Sequence, residues 1–298
     1  MYLFDFFKRL FKKNNAGVVI WMVLNLLLIV FLFSGGFTSL TGALIGVALY
    51  FLSMLIALSP IGEWILRMQN GCKKITDPAV LNRIEPLFRE VYARAKELDP
   101  ELPDDIQIFL SESSEPNAFA TGRKTLCLTR GLLTYSDEQI KGVLGHEFGH
   151  LANKDTDTVL VVAVGNMIVS AIFILVRFFS NICMLIGEFV ASAFGRGLGG
   201  ALAALFMGLG RIVADFVLVV MMRIWNQIGV WLCMSSSRKN EYIADEYAHR
   251  CGHGEGLIQV LESFGTTHGS TGLFAALASS HPQNADRIGK LRALKGVF

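Results

Sequence analysis

The distribution of apolar and polar residues divides this chain into stretches suited to lipid and stretches suited to water. Residues 16–33 are apolar but for Asn25, and residues 37–58 form a second, cleaner run. A helix rises about 1.5 Å per residue and needs roughly 20 apolar residues to cross the hydrocarbon layer, so each run predicts one membrane span. Only Ser34-Gly35-Gly36 separates them, which predicts a tight transmembrane hairpin. Residues 158–176 predict a third span, and a fourth is expected between Ala201 and Met234, where Arg211, Asp215 and Arg223 interrupt the apolar pattern. Unpaired charges are expensive in lipid, so Arg211 and Asp215, four residues apart, are expected to pair with each other.

Between the second and third apolar runs the pattern changes. Asp77-Pro78 has the form of a helix cap and first turn, and Leu81, Ile84, Leu87, Phe88, Val91 and Tyr92 recur at helical spacing, predicting a helix over residues 78–97. Residues 106–110 and 125–129 are short β-like runs flanking Asn117-Ala118-Phe119-Ala120-Thr121-Gly122, which predicts a small sheet. Ser136-Asp137-Glu138-Gln139 matches a capping box, so a helix should begin there and run through His150. From Ser235 the chain is polar again, helical by pattern, and ends in a Ser279-Ser280-His281-Pro282 turn and a short basic helix. The predicted organisation is an N-terminal segment and hairpin (1–66), a first soluble part (67–157), two further spans (158–234) and a second soluble part (235–298).

Composition agrees with a chain partly in lipid, since 52% of residues are hydrophobic and 17% charged. Lys8, Arg9, Lys12 and Lys13 precede the hairpin and Arg67, Lys73 and Lys74 follow it, so both of its ends are expected in the cytoplasm. The first apolar run is too long for a cleaved signal peptide and reads as a retained anchor preceded by a short interfacial helix. A net charge of +2, with no long basic run, argues against nucleic acid as a partner. The five cysteines form no Cys-x-x-Cys pair, which points to reduced thiols facing a cytosol-like compartment.

The chemistry concentrates in His146-Glu147-Phe148-Gly149-His150. Residues four apart share a helix face, so His146 and His150 can present two imidazole nitrogens to one Zn²⁺, about 2.0 to 2.1 Å from each. Glu147 then flanks the metal and is placed to take a proton from water attacking a peptide carbonyl. The plain alternative is a pair of surface histidines on an ordinary helix, which the capping box and preceding sheet disfavour. For a third ligand the metzincin pattern fails, because Asn153 and Thr156 stand where Gly and His are required. Downstream, Glu241 and Asp245 are two carboxylates on one helical face, suited to ligate the metal and to accept a ligand histidine's outward N–H; His249, one turn on, is a rival ligand.

At these residues the chain resembles the HtpX-type membrane zinc metalloproteases, a family related to the prenyl-protein CAAX endoproteases. The matching elements are Asn117 to Gly122, His146 to His150 with Asn153 and Asp155 following, Glu241 with Asp245, and His281-Pro282 with Arg287-Ile288. The resemblance covers nearly the whole chain. It implies an α-helical multi-pass membrane protein with a cytosolic α+β zincin-like (gluzincin) protease domain. It also implies one zinc per chain on His146, His150 and Glu241, Glu147 as general base, and a quality-control role in a bacterial inner membrane. The expected substrates are damaged or misassembled membrane proteins and unfolded polypeptides. Asn117, Ala118 and Phe119 are expected to lie on an edge strand that pairs with extended substrate, and His281 or Arg287 to stabilise the oxyanion. Two other readings stand beside this one: a site-two-type intramembrane protease, which needs the His-Glu-x-x-His helix in lipid, and a non-catalytic membrane scaffold retaining a metal site.

Overall fold

A computed structural model of the chain describes residues 2–10, 16–194, 198–263 and 284–294. A short helix α1 (Tyr2–Leu10) precedes α2 (Ala16–Phe33) and α3 (Leu40–Ala57), which form the hairpin. Both α2 and α3 are long and apolar enough to cross a membrane. The turn between them extends past residue 36, and α3 starts where Ser39 accepts a hydrogen bond from Gly42 N. Gly42 also lets the two helices touch, because a Cβ there would lie 2.2 Å from the Phe33 carbonyl oxygen. Asn25, the polar residue within the first run, is buried and satisfied across the bundle. Its Nδ2 donates to Asn166 Oδ1 at 2.7 Å and its Oδ1 accepts from Trp225 Nε1 at 3.1 Å.

Helix α4 (Pro60–Gln69) follows directly, then the two-residue strand β1 (Lys73–Lys74) and α5 (Pro78–Leu98), whose Asp77 cap accepts from Ala79 N. Three more strands, β2 (Gln107–Ser111), β3 (Ala118–Thr121) and β4 (Thr125–Thr129), complete a sheet of order β1-β2-β4-β3. β2 and β4 run parallel, while β1 and β3 pair antiparallel with β2 and β4 respectively, so β3 is an edge. Helix α6 (Asp137–Asn153) starts in a complete capping box, with Ser136 Oγ accepting from Gln139 N and Gln139 accepting from Ser136 N. It ends at Lys154, which takes the left-handed conformation and donates its N–H to the last turn. The apolar side of α6 packs on α5 and the sheet. Phe148 lies between Phe88 and Tyr92, with ring centroids 5.5 and 5.8 Å away, inside a core that includes Ile84, Val91, Leu126 and Leu144.

The third apolar run is longer than its sequence pattern indicates. It comprises α7 (Thr156–Leu160), a π-helical turn over Val161–Gly165 and α8 (Asn166–Phe194). The change from apolar to polar side chains near residue 234 does not interrupt the helix. The fourth apolar stretch and the Glu241–Asp245 segment form one 53-residue helix, α9 (Leu198–Arg250). No Gly or Pro occurs between residues 230 and 251, so nothing in the backbone stops the helix where the side chains turn polar. It ends at Gly252, whose φ of 89° suits a left-handed cap. Arg211 and Asp215 do not pair with each other. Arg211 meets Glu188 of α8, and Asp215 accepts from Arg177 Nε at 2.6 Å and Asn181 Nδ2 at 2.5 Å, because α8 runs alongside and offers partners at the same level. Helix α10 (Gly254–Ser263) packs back on α6 and α9, and α11 (Asn284–Leu294) packs on α9 and α10.

Candidate metal centre

Small residues bring the two chemistry-bearing helices into contact. Gly145 and Gly149 of α6 face Ala248 and Ala244 of α9, while Gly142, one turn earlier, lets α10 approach at Gly256 and Leu257. A Cβ at Gly149 would lie 2.8 Å from Ala244 Cα, and one at Gly145 would lie 3.1 Å from Ala248 Cα. The same periodicity puts His146 and His150 beside this stripe on α6, and Glu241 and Asp245 beside it on α9. Close backbone approach therefore carries the four side chains into one buried space.

There, Nε2 of His146 and Nε2 of His150 lie 3.2 Å apart. Glu241 Oε2 is 3.4 Å from the first and Glu241 Oε1 is 3.5 Å from the second. Donors about 2.0 to 2.1 Å from a tetrahedral ion stand roughly 3.3 Å from one another, so these separations fit a shared Zn²⁺. Two imidazoles and a carboxylate are also a donor set of the right chemistry for it. His249 does not join the group; its ring packs against Gly254.

Each imidazole has a carboxylate on its outward nitrogen. His146 Nδ1 is 2.9 Å from Asp245 Oδ1, and His150 Nδ1 is 3.2 Å from Asp155 Oδ2. Asp155 is itself held by Asn153 Nδ2 at 2.8 Å. Arg287 of α11 donates to both oxygens of Asp245, from Nε at 2.8 Å and from its second nitrogen at 2.5 Å, and stands 3.4 Å from Glu241. Although the sequence offered Arg287 as an oxyanion donor, its guanidinium is buried on the Nδ1 side of His146 and engaged with carboxylates. His281, the other sequence-based candidate, lies outside the described residues.

The electrostatics follow from this packing. Burial opposes charge on both imidazoles, but Asp245 and Glu241 raise His146, and Asp155 and Glu241 raise His150 well above the ordinary histidine value. Burial would likewise raise Asp245, yet Arg287 and His146 outweigh it and hold that carboxyl at about 2. The centre is thus organised to accept positive charge between the two rings.

Glu147 points from α6 toward the sheet, where its Oε2 accepts from Ala120 N at 2.7 Å. Asn117 just precedes β3, its N–H on Thr129 Oγ1 and its carbonyl on Thr129 N, and Ala118 and Phe119 begin the strand. Since antiparallel pairing alternates, Ala118 and Ala120 direct their backbone groups away from β4, toward the centre. Ala120 and Asp155 lie within motifs quoted from sequence, but their contacts with Glu147 and His150 were not read there, nor was the Gly/Ala stripe. The stripe carried a readable signal, glycines at 145 and 149 against alanines at 248 and 244.

Comparison with known proteins follows the same residues. Residues 81–295 match the model for peptidase family M48. The chain is similar to Protease HtpX of Pseudomonas entomophila (strain L48), at 32% identity over 78% of this chain and 79% of that protein. It is also similar to Protease HtpX of Hahella chejuensis (strain KCTC 2396), at 30% identity over 95% and 98%. A crystal structure of S. mikatae Ste24p aligns with 89% of this chain and 61% of that one, at 19% identity and a TM-score of 0.44. With the matched region enclosing His146, Glu147, His150 and Glu241, this chain belongs to peptidase family M48 and is a metalloprotease, a hydrolase.

Proposed function

We propose that this protein is a membrane-embedded zinc endopeptidase whose centre faces the cytosol from a bacterial inner membrane. In this reading α2 and α3 cross as a hairpin, and α8 and α9 supply two further spans. The observation that carries it is the convergence of His146, His150 and Glu241 within 4.8 Å of one another, with Glu147 alongside. These three residues would hold zinc, and the chemistry it would supply there is that of a Lewis acid toward a scissile carbonyl and toward water, whose pKa it would lower toward about 7. Glu147 accepts a proton from the attacking water as its oxygen bonds to the carbonyl carbon. The same carboxyl then gives that proton to the departing amine as the C–N bond breaks. Asp245 and Asp155 hold the imidazoles with their inner nitrogens unprotonated, and Arg287 keeps Asp245 ionised and fixed in place.

Substrate chain adds as a further strand along β3, pairing with the outward backbone groups of Ala118 and the carbonyl of Ala120, while Asn117 and Phe119 flank it. Main-chain pairing is tolerant of sequence, which suits damaged or misassembled membrane proteins and unfolded polypeptides, the substrates the HtpX resemblance implies. His281 remains the candidate oxyanion donor. The site-two-type reading is disfavoured by α6 itself, which is capped by Ser136 and carries Asp137, Glu138 and an ion-paired Lys141. In the purified full chain, Glu147→Gln is expected to lower peptide cleavage by roughly 10²- to 10⁴-fold while one zinc per chain remains bound. Undiminished cleavage in that variant would remove Glu147 from the base role.

A further inference from the structure

Helix α4 presents two faces of opposite kind. Ile61, Trp64 and Met68, spaced three and four apart, are 57%, 54% and 58% exposed. On the other face Gly62, Glu63 and Leu66 are buried. The inner face is fastened to the sheet. Glu63 accepts from Arg123 N at 2.9 Å and from Thr125 Oγ1 at 3.2 Å, and Arg67 donates to Thr125 Oγ1 at 2.7 Å while lying over the Phe109 ring. The turn from β3 to β4 is shaped around this contact, since a Cβ at Gly122 would overlap the Glu63 side chain. Arg123 continues the connection through a buried ion pair with Asp157 of α7, at 2.8 Å.

The outer face has a defined neighbour on the same argument that makes α3 a span. The 18 residues of α3 rise about 27 Å, close to the roughly 30 Å hydrocarbon thickness, so its C-terminus reaches the edge of the apolar layer. Only Leu58 and Ser59 intervene before Pro60. No length is available for α4 to leave that level, and Gly62 is pressed against the end of α3, where a Cβ would sit 2.0 Å from Ala57 O. A helix turned at this depth, with an apolar outer stripe that includes tryptophan and with exposed Lys73 and Lys74 following, matches the interfacial layer of an anionic bilayer.

We propose that α4 lies in the plane of the membrane surface, its Ile61–Trp64–Met68 face embedded among lipids, and that Glu63, through the β3–β4 turn and the start of β4, thereby holds the sheet and its β3 edge at a fixed height above the bilayer. The proposal rests on reading α2 and α3 as spans. Its consequence is that α4 positions β3 for substrates that emerge from the membrane.

The test uses the full chain in lipid vesicles, with Trp64→Cys, Leu44→Cys and Ser113→Cys made separately and labelled by a water-soluble maleimide read peptide by peptide by mass spectrometry. Leu44 is an exposed mid-span position and Ser113 an exposed loop position. Position 64 is expected to label roughly tenfold more slowly than position 113, and equally slowly when vesicles hold one chain each. Labelling at 64 as fast as at 113, with 44 still protected, overturns the proposal and leaves the spans intact. Fast labelling at 44 instead sinks the reading beneath it. Protection at 64 that disappears at one chain per vesicle means a second copy covers α4, which also overturns the proposal. A second variant, Trp64→Glu, is expected to lower kcat/KM about tenfold for a membrane-inserted substrate and to leave a short soluble peptide within about twofold. Equal loss on both substrates, or loss on neither, rejects the claim about height.

Discussion

The two helices that meet at the metal centre reach it by different routes. Helix α6 is local: a capping box fixes its start, a left-handed Lys154 fixes its end, and Phe148 anchors it in the core between α5 and the sheet. Its His150 finds an outward partner five residues on, in Asp155. Helix α9 is a 53-residue rod, and near its far end it supplies both Glu241 and the partner of His146. Its register is set by one contact remote from the centre, Trp225 on Asn25, and by two beside it, small residues against α6 and Arg287 of α11 clamping Asp245. One half of the centre is therefore built into the protease core, while the other is delivered by an element that also belongs to the apolar bundle. The centre is complete only when both are seated.

The largest expected effect comes from removing what α9 brings. Glu241→Ala should reduce metal affinity by more than the roughly 10- to 100-fold that follows loss of an outer partner, and abolish cleavage with it. Elemental analysis after dialysis checks this, and a stoichiometric metal in the variant would reduce α9 to a packing role. Next in size are the two outer carboxylates. Asp155→Asn should weaken metal binding by about tenfold, and Asp245→Asn by closer to 100-fold. The second variant should also destabilise the fold by about 3 kcal/mol, since it takes from the buried Arg287 its bidentate carboxylate and leaves only the more distant Glu241. Equal losses at 155 and 245, in metal affinity and in thermal unfolding alike, would erase the distinction between the two halves. Smaller again is Ser136→Ala, which removes the α6 cap and should cost about 1 kcal/mol of stability while leaving metal affinity unchanged.

The local half was the more legible in sequence, for the same physical reason. A capping box, a His-Glu-x-x-His spacing and a helix over residues 78–97 are short-range patterns, and α6 and α5 follow them to within a few residues. The strand over residues 125–129 is likewise a short β-like run bounded by Gly and Pro nearby, and all five of its residues are buried. What the chain order concealed is which partners meet across space. Arg211 and Asp215 look complementary at four residues' spacing, yet each found a partner on α8, because a neighbouring helix competes with the local pair. The continuity of α9 was hidden by a change from apolar to polar side chains, which alters what surrounds a helix and not whether it continues. Arg287 read as a catalytic cation because its proximity to Asp245, 42 positions earlier, has no sequence signature.

The smallest effect concerns Glu63, the residue through which α4 touches the site-bearing sheet. Burial raises its carboxyl above the ordinary value of 4.5, against the pull of Arg123 N, Thr125 and Arg67 and with a small push from Asp157. A carboxyl raised on folding holds its proton more tightly in the folded chain than in the unfolded one. The stability it contributes is therefore complete below its unfolded value and is lost as pH rises through the folded one. Glutamine keeps the acceptor for Arg123 N and does not titrate. The thermal midpoint of Glu63→Gln, relative to the unaltered chain, should accordingly be lowest in mild acid and climb as pH increases toward neutrality. Metal release from the protonating histidines shifts both proteins alike and cancels in the difference. A difference that stays flat or declines over that range would mean Glu63 sits ionised without penalty, and that α4 meets the sheet through a wetter contact than the buried one described.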